Sequence, residues 1–439
     1  MIKNSELSFK ELCIKNFENF EKTLNGERDL SVHSLRKKSF QNLNSINIPS
    51  TKDEEWKYTN ISFLNNKNYL FPIDNVKITS DTLRNFLFHN FEHSLMTFVN
   101  GFFYSETSDL LDISSGVQIL SLNEAIKKRN FILEKYLGQL ADDKNNFFTS
   151  LNSSFIKDGI FIYIPDGKII EEPIHIIFYQ SSFNQKNLIQ PRNLIVIGKN
   201  SQASIIEHYL SDTNSDYFTN SVTEIFVDEN SHLDHIKLQE ESLNSIHIGR
   251  MDILQERNSS FTSHLISIGS KFSRNEFNSR FNGEGSQSTL NGLFMIEDEQ
   301  LFDAHTLIDH AKPNCNSYEH YKGILQDSSR GVFNGKVLVR KDAQKTNAFQ
   351  ENNTILLSES AIMNSKPQLE IFADDVKCSH GATVGKLNEE AKFYLKTRGI
   401  GEEAATAMLI HAFASDVITS IKIESLREYL EKIISRKFN

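Results

Sequence analysis

Cysteine is scarce in this sequence. The 439 residues include three cysteines, Cys13, Cys315 and Cys378, which lie far apart. An odd number of distant cysteines excludes a disulfide framework and is typical of a reducing compartment. Long apolar runs are also missing, and the start, "MIKNSELSFKELC", carries two acids where a secretory signal would be apolar. We therefore predict a soluble cytoplasmic protein that makes no contact with a membrane.

An excess of positive charge is missing as well. The chain has 47 Lys and Arg against 57 Asp and Glu, a formal net charge of −10. This balance argues against a broad nucleic-acid-binding surface. "GVFNGKV" (331–337) has neither the glycine spacing nor the Ser or Thr of a P-loop, and "GEGS" (283–286) lacks the third glycine of a dinucleotide site. The chain is predicted to hydrolyse no nucleotide and to bind no nucleic acid.

Short β-branched runs separated by polar turns fill the sequence from about Ile160 to Val376. Asn-Ser pairs begin at Asn200, Asn230 and Asn258, each between two apolar strand patterns, so the repeat is close to thirty residues. Repeats of this length indicate stacked units that cannot bury their apolar faces alone. Without intervening helical patterns, a parallel β-helix or solenoid fits best. A β-sandwich with irregular loops is the alternative.

Helical patterns flank this region and divide the chain into three predicted parts: a mainly helical N-terminal region (1–150), a β-helix core (151–385) and a C-terminal helical domain (386–439). Asn388 is a suitable N-cap for the first helix of the C-terminal domain, and Gly399 is a suitable residue to end that helix. The C-terminal pattern predicts an apolar stripe that either packs on the β-core or docks a partner. Its predicted members are Met408, Leu409, Ala412, Phe413, Val417, Ile421, Leu426, Leu430 and Ile433.

The segment "ADDVKCSHGATVG" (373–385) contains the candidate metal ligands Cys378 and His380. On a strand, these two side chains would share one face, and thiolate and imidazole are common metal ligands. Their backbones would lie about 6–7 Å apart, which suits two ligands better than a nucleophile bonded to its base. We therefore predict no catalytic residue, and a purely structural role for the pair is the alternative. Other histidines in strand patterns are expected to be structural imidazoles: His208, His235, His264, His305 and His310.

Two blocks of the sequence resemble a known family. "DEEWKYTN" (53–60) and the long block from Lys322 to Ile400, with "HGATVG" and "FYLKTRGI" inside it, are similar to the SufB/SufD family of the Suf iron–sulfur cluster assembly machinery. The "CSHGAT" block and the small number of cysteines place the chain on the SufD side of that family.

The resemblance implies a mainly β fold, with a right-handed parallel β-helix core between N-terminal and C-terminal helical regions. It implies a non-catalytic scaffold that pairs with a SufB-type paralogue through the "CSHGAT" end and docks a SufC-type ATPase on the C-terminal helices. A transient iron–sulfur cluster would be shared with the paralogue. His380 matches the family position implicated in nascent cluster or iron binding, and the role of Cys378 is left open.

Several alternatives remain open at this stage. The chain could pair with itself when isolated, and a reduced flavin could bind the assembled complex. It could also be a structural adaptor that ligates no metal. A polysaccharide-active β-helix enzyme would need clustered carboxylates, whereas Asp374 and Asp375, the pair nearest the motif, would point to opposite faces of a strand.

Overall fold

The computed structural model describes residues 7–24, 26–72, 77–88, 92–111, 116–181, 186–212 and 214–438. None of the helices in these ranges is both long enough and apolar enough to span a membrane. The α-helices lie before residue 155 and after residue 388. They are α1 Phe9–Thr23, α2 Ser31–Ser45, α3 Ser80–Leu83, α4 Leu122–Lys127, α5 Phe131–Tyr136, α6 Phe147–Ser154, α7 Glu389–Thr397, α8 Glu402–Thr419 and α9 Glu424–Phe438.

The strands lie between residues 94 and 385, and most are about ten residues long. They are β1 Ser94–Val99, β2 Phe102–Phe103, β3 Gln118–Ser121, β4 Ile160–Ile164, β5 Ile174–Gln180, β6 Leu188–Ile189, β7 Arg192–Ile197, β8 Gln202–Ser211, β9 Phe218–Val227, β10 His232–Glu240, β11 Ile246–Gln255, β12 Ser260–Ser267, β13 Phe272–Phe281, β14 Gln287–Ile296, β15 Leu301–His310, β16 Asn316–Leu325, β17 Arg330–Val339, β18 Thr346–Leu356, β19 Ile362–Ile371 and β20 Val376–Gly385.

These strands form a parallel β-solenoid of about eight turns. Sheet A has the order β2-β1-β5-β8-β10-β12-β14-β16-β18-β20, and sheet B runs β19-β17-β15-β13-β11-β9-β7-β4-β3, with β6 beside β9. From β7 onward the chain alternates between the sheets, so each coil contributes one strand to each. Every pairing in that part is parallel and in register, which confirms the predicted solenoid and makes the sandwich alternative wrong.

The Asn-Ser repeat marks one corner of the solenoid. Asn200, Asn230 and Asn258 adopt left-handed backbone angles, with φ of 53°, 56° and 55°, a conformation that asparagine tolerates better than most residues. The Nδ2 of Asn230 donates to the Oδ1 of Asn200, and the Nδ2 of Asn258 donates to the Oδ1 of Asn230, both at 3.2 Å. The repeat therefore positions one turn above the next.

The space between the sheets, called the lumen here, contains the main apolar core. Inward side chains such as Ile205, Phe261 and Phe294 stack along it. Polar side chains also point inward, among them Glu207, Lys237 and other buried groups. Because both outer faces of the sheets are partly covered by helices, strand alternation alone does not reveal which side chains face the lumen.

The helices cover the outer faces. Helices α1 and α6 pack on sheet B with Phe218 and Phe272, and Cys13 is a buried core residue of α1. Helices α8 and α9 pack on sheet A, which confirms that the C-terminal stripe packs on the β-core, but its predicted membership was partly wrong. Met408 is 50% exposed, and Ile434 packs in the core in place of Ile433. The buried residues of this contact are Ile410, Ala414, Val417, Ile418, Ile421, Leu426, Leu430 and Ile434.

Candidate functional site

The segment with Cys378 and His380 forms β20, the last strand of sheet A. Among the described strands, β20 pairs with β18 alone and β19 pairs with β17 alone, so both sheets end at this coil. Residues of the preceding coils are mostly buried, whereas most of β20 is exposed. We call this the open end of the solenoid. Its free edges present unpaired backbone groups, which proteins usually protect from uncontrolled pairing.

Cys378 and His380 share one face of β20, as strand alternation predicts. Cys378 is in register with Ala348, and His380 is in register with Gln350. Ala348 and Gln350 are both buried, so Cys378 and His380 continue the lumen-facing side of sheet A at its open end. His380 is exposed and can be reached from solution or by a neighbouring chain.

The two candidate ligands differ in their surroundings. Cys378 is partly buried against an apolar cluster that includes Val337 and Ala348. Burial raises the pKa of the Cys378 thiol above its usual value. The thiol is therefore protonated at neutral pH, and a bound metal would have to displace the proton.

The other cysteines and most strand histidines have structural positions. The Sγ of Cys315 is buried and donates to the carbonyl of Gly283. His235 contacts Ser263 and Glu207 in the lumen, and the Nε2 of His264 lies 2.9 Å from the Oγ of Ser420. Within the described ranges, no group of three or more His, Cys, Asp and Glu is placed to hold a metal ion.

A cleft of about 670 Å³ lies between the N-terminal region and the outer face of sheet B, and its lining includes neither Cys378 nor His380. Residues 54–59 of the "DEEWKYTN" block, which we call the latch segment, lie against the outer face of sheet B. The Arg274 guanidinium stacks 3.8 Å from the ring centroid of Trp56, and Thr59 donates to Asp303 at 2.6 Å. Trp56 is buried, and its partner Arg274 is distant in the sequence, so no local pattern points to this contact.

Glu55 and Glu276, two of the carboxylates that line this cleft, are paired with basic side chains. Arg274 forms ion pairs with Asp303 and Glu276, and His305 lies 3.1 Å from Glu55. A glycosidase needs one carboxyl to act as an acid and another to act as a base or nucleophile. Carboxylates neutralised by arginine do not suit those roles.

Asp374 and Asp375 precede β20 and are not part of it. Both are exposed in the turn before β20, so the expectation that they occupy opposite faces of a strand was wrong. The strand begins one residue later, at Val376.

Comparison with known proteins identifies the family. The SUF system FeS cluster assembly, SufBD core domain matches residues 178–413, and the SufBD protein N-terminal region matches residues 7–176. The chain is 31% identical to the iron–sulfur cluster assembly protein SufD of Escherichia coli, over 88% of this chain and 89% of that protein. It is 32% identical to the SufBD family protein slr0076 of Synechocystis, over 94% and 92% of the two chains. It is also 30% identical to the chloroplastic protein ABCI7 of Arabidopsis thaliana, over 91% and 84%. These matches confirm the resemblance read from the two sequence blocks: the chain belongs to the SufBD family of iron–sulfur cluster assembly proteins.

Proposed function

We propose that this chain is a non-catalytic scaffold subunit, cytoplasmic in location, whose open end pairs with a SufB-type paralogue and presents Cys378 and His380 to a nascent iron–sulfur cluster. The observation that carries the proposal is the position of these two residues on β20, where both sheets end. Family membership supplies the chemistry, because iron–sulfur clusters are the cargo of the Suf machinery.

The open end favours a partner that continues the solenoid. The apolar side chains of Phe372 and Val384 are exposed there, beside the unpaired edges of β19 and β20. A paralogue with a matching solenoid end would cover these side chains and satisfy the free backbone groups. In the absence of the paralogue, the same end would let two copies of this chain pair.

The ligand chemistry also favours a shared site. Iron–sulfur clusters are normally held by about four thiolates or close substitutes. Cys378 and His380 supply at most two ligands from this end of the chain, so the paralogue would provide the others. A cluster held between two chains would be transient, since separation of the chains removes half of its ligands.

The C-terminal helices would dock a SufC-type ATPase. Helix α7 buries none of its residues, and its Phe393 and Tyr394 are 69% and 61% exposed. Met408 on α8 adds a third exposed apolar side chain. Large apolar groups on the outside of a short helix are suited to protein contacts.

Reconstitution with purified SufB-type and SufC-type subunits tests the metal role. His380→Ala should lower cluster formation on the complex, measured anaerobically by visible absorption, while gel filtration shows that the three subunits still assemble. Ser379→Ala is the matched control, because Ser379 is also exposed on β20 but alternates to the other face.

The outcome separates the two scaffold hypotheses. Normal cluster formation with both His380→Ala and Cys378→Ser would mean that the chain is an adaptor whose partner provides every ligand. Loss of assembly with His380→Ala alone would mean that this imidazole is structural.

A further inference from the structure

Three buried glutamates face the lumen in the described strands of sheet A and at their ends: Glu207, Glu241 and Glu319. Two of them have basic partners. An oxygen of Glu207 lies 3.3 Å from the Nε2 of His235, and an oxygen of Glu241 lies 2.8 Å from the Nδ1 of His247. Glu319 forms no ion pair with any residue in the described part of the chain, although a buried carboxyl ordinarily needs a cation or a proton. Glu319 is therefore the exception that needs an explanation.

The two carboxyl oxygens of Glu319 have different surroundings. Oε2 accepts hydrogen bonds from the Oγ1 of Thr306 at 2.8 Å and the Nε2 of Gln350 at 2.9 Å. The Thr306 bond crosses the lumen from sheet B, which shows that the Glu319 side chain points inward. Oε1 is buried and has no hydrogen-bond partner among the residues that the structure describes. One lone-pair-bearing oxygen is therefore free to ligate.

The next strand adds further unpartnered polar atoms beside it. On β18, the Oε1 of Gln350, both side-chain polar atoms of Asn352 and the Oγ1 of Thr354 are buried, and none has a hydrogen-bond partner within the described ranges. These three side chains are at most 3% exposed and alternate along one face of the strand. Buried polar atoms are nearly always partnered in folded proteins. A row of them on β18, whose Gln350 donates to Glu319, indicates a site for a polar ligand beside this carboxyl.

The opposite sheet leaves room at this position. Gly335 on β17 faces Gln350, and a Cβ atom at Gly335 would lie 2.2 Å from the Nε2 of Gln350. Any other residue here would displace the Gln350 side chain. The glycine therefore keeps the amide beside Glu319.

This group lies directly behind the open end. Glu319 is in register with Gln350, and Gln350 is in register with His380. Neighbouring strands lie about 4.8 Å apart, so the backbone of Glu319 is about 10 Å behind that of His380. The three residues form one lumen-facing column that leads inward from the exposed imidazole.

We propose that Glu319, Gln350 and Asn352 form an oxygen-lined site for a divalent cation, which enters past His380. A carboxylate with amide oxygens suits hard divalent ions and does not suit sulfide or a thiolate-bound cluster. The cation neutralises the otherwise isolated carboxylate. The assignment of ferrous iron as the natural ion rests on the proposed function, whereas the site itself does not.

Binding of Mn²⁺, a redox-stable probe, to the purified full-length chain tests this site. Electron paramagnetic resonance measures the free Mn²⁺, and anaerobic addition of Fe²⁺ tests competition. Glu319→Gln keeps the shape of the side chain and should weaken Mn²⁺ binding by about 10-fold or more, and Asn352→Ala should also weaken it. Glu351→Gln is the matched control, because Glu351 is an exposed carboxylate on the other face of the same strand. Circular dichroism shows whether each variant is folded.

His380→Ala separates this proposal from the proposed function. Retained Mn²⁺ binding in folded His380→Ala protein, together with its loss in Glu319→Gln, supports an inner site that is distinct from the cluster ligand. That result would stand even if His380→Ala left cluster formation unchanged. Absence of stoichiometric Mn²⁺ binding in the unaltered chain, or equal affinity in the Glu319→Gln and Glu351→Gln proteins, would overturn the proposal.

Discussion

The Nδ1 of His305 lies 3.1 Å from a carboxylate oxygen of Glu55, 250 residues earlier in the chain. This contact joins the latch segment to the outer face of sheet B. His305 also lies 2.9 Å from Asp303. Burial alone would lower the pKa of His305, but the carboxylates of Asp303 and Glu55 outweigh that effect and the net pKa is raised.

The raised pKa predicts that attachment of the latch segment weakens at alkaline pH. The stabilisation from His305 is complete below the unfolded-state pKa, about 6.5, and is lost as the pH rises through the higher folded-state pKa. Trp56 is the single tryptophan of the chain, so its fluorescence reports unfolding of this region. The urea midpoint should fall from about pH 6.5 upward in the unaltered protein and vary less in His305→Gln. Equal pH dependence in the two proteins would contradict the assignment.

The asparagine corner predicts a graded loss of stability. Asn230→Ala leaves a residue with a Cβ atom, but without the side-chain amide, at the left-handed φ of 56°. It also removes the two side-chain hydrogen bonds that Asn230 makes with the asparagines of the neighbouring turns. We expect a loss of about 1–2 kcal/mol in the free energy of unfolding. Asn230→Gly removes the same hydrogen bonds but accepts the left-handed angle, so its loss should be smaller. If the glycine variant is no more stable than the alanine variant, the left-handed backbone angle is not the main cause of the loss in the free energy of unfolding.

The exposed face of α7 predicts a specific docking defect. Changing both Phe393 and Tyr394 to Ser should leave the fold intact, since α7 buries none of its residues. Affinity for the SufC-type ATPase should fall about 10-fold or more, which is roughly 1.4 kcal/mol. Phe131→Ser is the control, because Phe131 is 73% exposed on the N-terminal helix α5. Unchanged capture by the double variant, measured by surface plasmon resonance, would place the ATPase elsewhere.

The open end predicts a charge-sensitive pairing surface. Phe372 is 65% exposed at the end of β19, and Phe372→Glu would place a carboxylate between two apolar solenoid ends. Affinity for the SufB-type paralogue, measured by analytical ultracentrifugation, should fall about 10-fold or more. Ile169→Glu changes a residue of similar exposure, 63%, far along the chain from the open end and should not alter pairing. Equal effects of the two changes would argue against this interface.

The sequence predicted the solenoid because its turns carry a local signal. Asn200, Asn230 and Asn258 are needed at the corners for their backbone angles, so the period can be read without any knowledge of the core. The position of Cys378 and His380 on one strand face also followed from alternation. That this face continues the lumen at an open end depends on the register with β18, which is a long-range property.

The other differences between the predicted and the observed structure also arise from long-range packing. Helix α8 is apolar on most of its circumference, so periodicity could not decide that Ile410 packs inward while Met408 is exposed. In β10, Ile236 and Leu238 pack beneath the C-terminal helices while Lys237 points into the lumen. A strand covered on both sides has no polar face from which to read its orientation. Glu319, Gln350 and Asn352 were missed because polar side chains occur on both faces of β16 and β18, so alternation does not mark the face that points into the lumen.

The two ends of the stacked coils are not equivalent. At the N-terminal end, the sheets finish with the short antiparallel strands β2 and β3, which do not offer a parallel template for another chain. At the other end, β19 and β20 do. Because only this end has free parallel strand edges, two chains that join at their open ends would leave no such edge for a third chain. Under the proposed pairing, association would stop at a pair and would not continue into a filament, which is the usual risk of a long β-rich protein with free strand edges.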